Sequence, residues 1–374
     1  MSKQVLITGG AGFVGSHLAD GLLRAGHSVR ILDDLTPQVH TGGLRPDYLS
    51  PEVELVVGDV RDPNRLREVL TGVDVIYHFA ATVGVGQSMY EIARYMSVNT
   101  QGTSELLQAM LDAKLTPEKL VVASSMSIYG EGRYRCADCG ALAAPPVRSV
   151  AQLRSGQWDL PCELCGGILK PVPTDEAKPS EINSVYALSK RDQEQLCLIY
   201  GRNYDLPVTA LRFFNIYGTR QALSNPYTGV AAVFAARMLN GKAPMVFEDG
   251  EQMRDFVSVH DIVRANILAM ERPESNGEVI NIGCGKPVTI RRVAEILAKA
   301  LGKDLQPVIS QKYRAGDIRH CYADISKARK LLGYEPQVTH EEGFRELAGW
   351  LAEQEAEDKA ETMLKELTAY GLTA

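Results

Sequence analysis

A tyrosine and a lysine one helical turn apart are the first residues in this sequence that could carry out chemistry. Tyr186 and Lys190 lie in a stretch with helical apolar spacing, so their side chains share one face. A free phenol, with a pKa of about 10, is a poor base at neutral pH. A neighbouring ammonium favours the phenolate and makes it usable for proton transfer. Ser125 ends a predicted strand, where its hydroxyl can bridge the phenol and a substrate oxygen. We therefore predict Ser125, Tyr186 and Lys190 as catalytic residues.

A glycine-rich turn follows the first apolar strand and opens a helix. Gly9, Gly12 and Gly15 allow a tight turn, and the unpaired N–H groups of the helix N-terminus favour a diphosphate. Asp33 ends the next predicted strand, where a carboxylate accepts both ribose hydroxyls and repels a 2′-phosphate. The pattern predicts NAD rather than NADP as the cofactor. The alternative is a strand-to-helix turn that binds no ligand.

Two CxxC pairs, separated by 22 residues, predict a metal site. The pairs are Cys136 with Cys139 and Cys162 with Cys165, and a glycine follows each pair. The seven histidines of the chain all lie outside residues 79–259, so a closed four-cysteine site is the nearby option. We predict structural zinc. A redox-active CxxC is the alternative, but the thioredoxin-like strand–helix setting is missing.

The elements that position these residues alternate between strand and helix. Near-continuous apolar strands separated by amphipathic helices indicate a parallel sheet with both faces covered. The fold class predicted is α/β: a Rossmann-type doubly wound parallel sheet, a smaller mixed α/β substrate-binding part, and an inserted zinc-ribbon-like module. The predicted boundaries are 1–215 for the NAD-binding domain, 131–180 for the inserted module, 216–350 for the substrate-binding domain and 351–374 for a C-terminal helical tail.

The inserted module and the tail carry expectations about position. The module lies between Ser125 and Tyr186 in sequence, so we expect it to form a lid or a wall on the substrate pocket. The tail is rich in Glu, Lys and Ala, and we expect it to be a solvated surface helix.

Composition excludes several classes of protein. The 374 residues include 46 acidic and 40 basic side chains, for a net charge of −6, which argues against a chain built around nucleic acid. No apolar run approaches the roughly 18 residues that a membrane-spanning helix needs. We expect a cytoplasmic protein with neither nucleic acid nor membrane as a partner.

The chain resembles the extended short-chain dehydrogenase/reductases, specifically the NAD-dependent nucleotide-sugar epimerases and dehydratases. Apart from the insertion, the resemblance covers roughly residues 3–350. The motifs that carry it are TGGAGFVGS at 8–16, GDV at 58–60, HFAA at 78–81, VN at 98–99, SS at 124–125, YALSK at 186–190, RFFN at 212–215, RDF at 254–256 and RAGD at 314–317.

The resemblance implies a set of binding residues. Those implied to hold tightly bound NAD are Gly9, Gly12, Phe13, Val14, Asp33, Asp34, Asp59, Val60, Phe79, Ala80, Ala81, Asn99, Ser124, Tyr186, Lys190 and Phe214. Those implied to hold a dTDP- or UDP-linked sugar are Ser125, Ser127, Asn215, Arg254, Arg314 and Asp317. The arginines also make chemical sense, because a diphosphate is matched by planar bidentate donors.

The residues after Ser125 bear on the reaction. Dehydratases and decarboxylases that resemble this chain carry a glutamate at the positions of Met126 and Ser127, where this chain has no carboxylate. Removal of water needs a positioned acid, so we exclude that branch. A 4-epimerase remains: the sugar C4 is oxidised to a 4-keto intermediate, which turns over and is reduced on its other face. The reaction has no net redox change, so NAD stays bound.

Two short runs of residues, 221–230 and 82–88, bear on the identity of the sugar. The run at 221–230, with the cysteine insertion, resembles a subgroup of the family that acts on dTDP-L-rhamnose. UDP-glucose/galactose or UDP-glucuronate 4-epimerisation is the alternative, and residues 82–88 contain no charge to pair with a uronate. A net dehydrogenase/reductase and a non-catalytic NAD-sensing protein are further alternatives. The resemblance also implies a homodimer formed through helices at 91–113 and 186–204.

Overall fold

A seven-stranded parallel sheet forms the centre of the computed structural model, which describes residues 1–227, 229–314 and 316–373. Two of the motifs above contain Thr228 and Ala315, which lie outside the described residues. The strands, in spatial order, are Val279–Ile282, Val208–Phe213, Lys119–Ser125, Val75–His78, Gln4–Thr8, Ser28–Asp33 and Glu54–Val57.

Helices cover both faces of this sheet. Neighbouring residues on each strand point to opposite faces, so the apolar strands contribute side chains to a core on each side. Val5 and Ile7 belong to one core, with the helices Phe13–Arg24 and Val259–Glu271. Leu6 belongs to the other core. The helices that contribute to that second core are Pro63–Val69, Gly102–Asp112 and Val185–Asn203. The prediction of a doubly wound α/β sheet is confirmed.

The large sheet does not end at the predicted boundary of the first domain. Val279–Ile282 pairs in parallel with Val208–Phe213, although it lies in the range assigned to the second domain. The helix Val259–Glu271, which packs on Phe13–Arg24, also follows residue 215. The chain therefore leaves the large sheet and returns to it, while the division into domains stays a prediction.

A smaller mixed part is built around the strand Met253–Ser258. This strand pairs in parallel with Asn215–Tyr217 and His320–Cys321, and antiparallel with Pro287–Thr289. Met245–Val246 and Val308–Ile309 form a separate parallel pair. The helices that pack a third apolar core here are Val230–Leu239, Ile290–Ala300 and His340–Leu351.

The helix predicted over 91–113 is interrupted. It runs as Ile92–Tyr95, a π-helical segment Met96–Gln101, and Gly102–Asp112. Wider π-helical turns often occur near functional sites. Here the wide turn carries Asn99, whose side chain contacts the loop at residue 82 and the helix Val185–Asn203.

The inserted cysteine module is a small antiparallel sheet with one short helix. Arg133–Cys136 lies between Leu142–Ala143 and Leu169–Val172, and the helix is Val150–Arg154. The base of the module is tied to the strand His320–Cys321. The N–H of Gly132 donates to the carbonyl of His320 at 2.8 Å, and the N–H of Thr174 donates to that of Tyr322 at 2.8 Å.

The remaining elements are short, except for the C-terminal helix Ala360–Ala369. The short α-helices are Val85–Ser88 and Ser326–Leu332, and the 3₁₀ turns are Thr41–Gly43, Met126–Tyr129 and Pro273–Ser275. Among the described residues, no helix combines the length and apolar character needed to cross a membrane.

Candidate active site

One cavity, with a volume of about 880 Å³, brings together almost every residue predicted to bind or react. It is lined by all three predicted catalytic residues, all six predicted substrate-binding residues and the predicted cofactor-binding residues other than Asn99. The chain thus collects residues from the N-terminal glycine turn, the ends of the parallel strands and the smaller mixed part. This edge of a parallel sheet is where such folds bind ligands.

The glycine turn lies against the end of the neighbouring strand. Gly9 has φ +69°, and a Cβ on it would stand 2.8 Å from the backbone N and Cα of Ala80. Gly12 caps the helix Phe13–Arg24 and offers no side chain, so the first N–H groups of this helix lack a side-chain cap. A bound diphosphate fits these free donors and the close backbone approach that the glycines permit.

Asp33 lies where a ribose-binding carboxylate is expected. Its Oδ2 accepts from the N–H of Ala11 at 2.9 Å, and its Oδ1 accepts from the N–H of Leu35 at 3.0 Å. Burial raises the pKa of Asp33, and those backbone hydrogen bonds oppose the rise. The Nε2 of His40 stands 3.7 Å from Oδ1 of Asp33, a neighbour that the sequence analysis missed.

Ser125 and Tyr186 reach the cavity from the ends of two elements. Ser125 closes the strand Lys119–Ser125, and its Oγ accepts from Oγ of Ser127 at 2.9 Å. Tyr186 lies in the first turn of the helix Val185–Asn203, which Ser184 caps. Burial raises the pKa of the Tyr186 phenol, and a hydrogen bond with Ser125 lowers it. The serine hydroxyl therefore helps to stabilise the phenolate.

Lys190 is buried beneath the cavity, and its ammonium has a partner that the sequence analysis missed. Its Nζ donates to Oε1 of Gln193 at 2.6 Å. The Nε2 of Gln193 donates in turn to the carbonyl of Ala80 and to Oγ1 of Thr103, at 3.2 and 3.0 Å. Burial lowers the pKa of Lys190 to about 8. An (i, i+3) pair on a helix is a weak sequence signal, so Gln193 could have been found only by following Lys190 along its own face.

Two arginines and an aspartate form the charged part of the cavity. Oδ1 of Asp317 lies 3.2 Å from Nη2 of Arg254, and its Oδ2 lies 2.9 Å from Nη2 of Arg314. Burial acts to raise the pKa of Asp317, but the two guanidinium groups hold it below its ordinary value. Two cations against one carboxylate leave a net positive charge that suits a diphosphate. Nearby, Oδ1 of Asn215 is buried without a hydrogen-bond partner in the described part of the chain.

Asn99 differs from the other predicted cofactor-binding residues because it does not line the cavity. It is fully buried, and its Nδ2 donates to the carbonyl of Thr82 at 3.0 Å and to Oγ of Ser189 at 2.9 Å. Its Oδ1 accepts from the N–H of Thr82 at 2.7 Å. Its side-chain polar atoms are therefore engaged within the protein, on the loop and helix beside the cavity, and its assignment to cofactor binding stays a prediction.

The four cysteines of the inserted module converge on one point. Their sulfurs all lie within 4.8 Å of one another, with Cys136 and Cys165 at 3.4 Å and Cys139 and Cys162 at 3.8 Å. A tetrahedral zinc with bonds of roughly 2.3 Å needs sulfurs about 3.8 Å apart. The N–H of Cys139 points to Sγ of Cys136, and this bond is the largest of several hydrogen bonds that together lower the pKa of that thiol to about 7. The arrangement fits a closed four-thiolate metal site.

The positions expected for the module and the tail are both wrong. None of the residues 131–180 lines the cavity, because backbone bonds to His320 and Tyr322 hold the module behind the cavity wall. The module contacts that wall from behind, where Arg148 donates to the carbonyl of the cavity-lining Asp317 at 3.1 Å. Instead the cavity is lined by Met363, Leu367 and Leu372 of the C-terminal segment. The tail is therefore part of the cavity wall and not a solvated surface helix.

Comparison with known proteins identifies the family to which this architecture belongs. Residues 5–148 and 165–283 match the family described as "NAD dependent epimerase/dehydratase family". The chain belongs to this family. The break in the match, at 149–164, falls inside the cysteine module.

Three similar proteins align with this chain over almost its whole length. A "dTDP-L-rhamnose 4-epimerase" of Burkholderia thailandensis is 35% identical over 354 residues, covering 94% of this chain and 96% of that protein. The structure of a UDP-glucose 4-epimerase from Thermotoga maritima with UDP-glucose has a TM-score of 0.76 at 30% identity, covering 93% and 98% of the two chains. The structure of a UDP-glucuronic acid 4-epimerase from Bacillus cereus with UDP-glucuronic acid and NAD has a TM-score of 0.75 at 28% identity, covering 93% and 99%.

Proposed function

We propose that the protein is an NAD-dependent nucleotide-sugar 4-epimerase. The observation that carries the proposal is the single cavity that joins the glycine turn, the Ser125–Tyr186–Lys190 group and the two arginines around Asp317. Each part matches one component of the reaction: a dinucleotide, a proton-transfer group and a sugar diphosphate. The relatives named above are 4-epimerases, which supports the same reaction here.

The chemistry divides between the cofactor and the side chains. NAD, when bound, supplies the acceptor and donor of the hydride at the sugar C4. The Tyr186 phenolate takes the proton of the C4 hydroxyl and later returns it, and Ser125 orders the phenol and the sugar oxygen. The ammonium of Lys190 favours the phenolate electrostatically. Inversion requires the sugar to turn between the two steps while Arg254 and Arg314 hold its diphosphate, which explains a firm anchor far from the reacting carbon.

For the substrate we propose dTDP-L-rhamnose, on the strength of the 35% identical relative and the run at 221–230. UDP-glucose/galactose and UDP-glucuronate are the second candidates, because the two similar structures contain UDP-glucose and UDP-glucuronic acid. A carboxylate needs a cationic partner when it is buried. Arg94 lines the cavity, and its Nη1 is bonded to Glu91 at 2.8 Å, so a uronate would compete with that carboxylate for the guanidinium.

The test is a panel of nucleotide sugars with no added NAD. The purified protein is incubated with dTDP-L-rhamnose, UDP-glucose, UDP-galactose and UDP-glucuronate, and NMR of the sugar protons detects inversion at C4. We expect one sugar to be inverted, activity to be lost in Tyr186→Phe and activity to be retained in Tyr204→Phe. Tyr204 caps the same helix and is 51% exposed, so it is a matched control. NADH accumulation without inversion would contradict the proposal and indicate a net oxidoreductase.

We further propose that the cysteine module binds one structural zinc ion, because the four sulfurs leave no open coordination position. Elemental analysis of the purified protein should give one zinc per chain. Cys139→Ser should lower the zinc content, whereas Cys197→Ala, which alters a buried thiol outside the module, should not. Zinc content unchanged in Cys139→Ser would overturn this assignment.

We also propose that the protein forms a homodimer. Apolar side chains are exposed on one of the helices through which the family resemblance implies that two subunits pair. Leu188 and Ile199 on Val185–Asn203 are 40% and 47% exposed. In analytical ultracentrifugation, the parent protein should sediment as a dimer and Leu188→Glu as a monomer. The cytoplasmic location stays a prediction from the sequence.

A further inference from the structure

The C-terminal helix Ala360–Ala369 contributes side chains directly to the cavity. Met363 and Leu367, one turn apart, are 7% and 2% exposed, and both line the cavity together with Leu372. Thr362 and Thr368, on the other faces of the same helix, are exposed. The helix therefore presents an apolar face to the cavity and a polar face to solvent.

The apolar face lies at the part of the cavity that holds Tyr186. A Cβ on Gly86 would stand 3.1 Å from Cδ2 of Leu367, so this leucine packs on the short helix Val85–Ser88. The same short helix contacts the catalytic residue, because Oγ of Ser88 accepts from the N–H of Tyr186 at 3.0 Å. Leu367 and the backbone of Tyr186 therefore contact the same short helix, and both residues line the cavity.

A second chain of contacts, through the residues just before this short helix, also links Tyr186 to the C-terminal helix. The ring of Tyr95 packs edge-on against the ring of Tyr186 at 6.4 Å between centroids. The Tyr95 hydroxyl donates to the carbonyl of Val83 at 3.0 Å. A Cβ on the next residue, Gly84, would stand 2.9 Å from Cβ of Tyr227. Tyr227 in turn donates a hydrogen bond to Glu366, the residue before Leu367.

Two anchors hold the C-terminal segment in this position. At the helix, Oε2 of Glu366 also accepts from the Tyr90 hydroxyl at 3.1 Å, and the ring of Tyr370 stacks on that of Tyr90 at 4.6 Å. Beyond the helix, Thr373 forms a β-bridge with Arg314, and its Oγ1 donates to the carbonyl of Tyr313 at 2.9 Å. The second anchor ties the segment to an arginine of the charged part of the cavity.

We propose that Leu367, supported by Met363 and Leu372, is a specificity-determining wall for the sugar, and that it selects neutral 6-deoxy sugars over uronates. The inference rests on the proposed function and names the sugar class for that site. An apolar wall gains from contact with a methyl substituent. A sugar carboxylate against the same wall loses hydration without gaining a hydrogen-bond partner from these side chains.

The test measures how much the sugar contributes to binding, separately from turnover. Calorimetry on the NAD-containing protein gives the affinities for dTDP, dTDP-L-rhamnose and UDP-glucuronate in the parent protein, Leu367→Arg and Thr368→Arg. We expect Leu367→Arg to bind dTDP as tightly as the parent protein does and to bind dTDP-L-rhamnose at least tenfold more weakly. The ratio of its affinity for dTDP-L-rhamnose to its affinity for UDP-glucuronate should be smaller than in the parent protein. Thr368→Arg adds the same charge on the exposed face and should behave as the parent does.

The outcomes separate this inference from the proposed function. If the ratio of the affinity for dTDP-L-rhamnose to the affinity for dTDP is the same in all three proteins, the role proposed for Leu367 is wrong, even where NMR detects C4 inversion. If the ratio changes only in Leu367→Arg but no sugar is inverted by the parent, the epimerase proposal fails and the wall stands. Should Leu367→Arg fail to fold, as judged by circular dichroism, Leu367→Ala decides: an unchanged ratio overturns the wall, and a ratio lowered several-fold supports it.

Discussion

The ammonium of Lys190 is bonded to the side-chain amide of Gln193, one turn further along the same helix, at 2.6 Å. Gln193 is a positioning residue, because it fixes Lys190 to the carbonyl of Ala80 at the end of a cavity-lining strand. The lysine side chain that the sequence identifies is therefore oriented by a residue that the sequence does not single out.

A carboxylate in place of this amide should change the pH profile of the reaction. The pKa of Lys190 is about 8, and activity that depends on its cation is lost as the pH rises through that value. Gln193→Glu places a negative charge beside the ammonium, so the pKa rises and the basic limb of kcat/KM should move to higher pH. Gln195→Glu, on a half-buried site two residues away, is the control. Profiles that coincide in the two variants contradict this role for Gln193.

Neutralising Asp33 should weaken NAD and relax the choice between NAD and NADP. Asp33→Asn keeps one acceptor oxygen but loses the charge that assists hydrogen bonds to ribose hydroxyls, a change of about tenfold in affinity. The same loss removes the repulsion of a 2′-phosphate. Calorimetry with NAD and NADP on the cofactor-depleted protein measures both affinities. If the ratio of the NAD affinity to the NADP affinity stays at the parent value, Asp33 does not bind the ribose hydroxyls.

Acidification should destabilise the protein partly through His78. This imidazole is fully buried between Oγ1 of Thr8 and Oγ1 of Thr103, both at 2.8 Å. Burial lowers its pKa from 6.5 to about 3, so between these values the unfolded chain binds the proton more strongly. Stability therefore falls as the pH drops below 6.5, and His78→Gln should reduce that slope by up to about 1.4 kcal/mol per pH unit. Denaturant unfolding between pH 7 and 5 measures the free energy of unfolding of the parent protein and of His78→Gln. Equal slopes of this free energy against pH in the two proteins would contradict the prediction.

Arg148 should tie the stability of the cysteine module to that of the rest of the chain. Its side chain is fully buried, and it forms two hydrogen bonds to Glu248, at 2.9 and 2.8 Å, and one to the carbonyl of Asp317 at 3.1 Å. Arg148→Met leaves Glu248 with one buried partner fewer, which should cost about 3–5 kcal/mol. The KM for the nucleotide sugar should also rise, because Asp317 orders Arg254 and Arg314.

Thermal unfolding and steady-state kinetics check this prediction against Arg154→Met. Arg154 is an exposed arginine at the end of the short helix in the same module. Equal melting temperatures in the two variants would show that the buried pair adds nothing to stability.

The parts of the site that local patterns encode could be predicted from the sequence. A glycine turn after a strand, an acid at the next strand end, and a tyrosine and lysine on one helical face are each set within a few residues. The parallel sheet then places them at one edge, since the carboxyl ends of its strands meet there. That is why the residues of these local patterns line one cavity.

The parts that depend on long-range packing could not be predicted. Met363 and Leu367 make an apolar stripe that looks the same whether it covers a core or a cavity. The module was expected to form a lid or a wall on the pocket because of its place in sequence, but backbone bonds from Gly132 and Thr174 to residues near 320 hold it behind the cavity wall. Asn99 matches a family motif, and only its bonds to Thr82 and Ser189 show that it faces inward.

The burial of Arg148 also bears on how the insertion is inherited. A segment joined to its host only by a flexible stem can be gained or lost in one event. This one shares Glu248 with Arg319, whose Nη1 lies 3.2 Å from Oε2 of that glutamate. Loss of the insertion alone would leave part of a buried charge cluster behind. Lineages that lack the insertion are therefore expected to carry accompanying substitutions at the positions of Glu248 and Arg319, and a chimera that exchanges the module must exchange them as well.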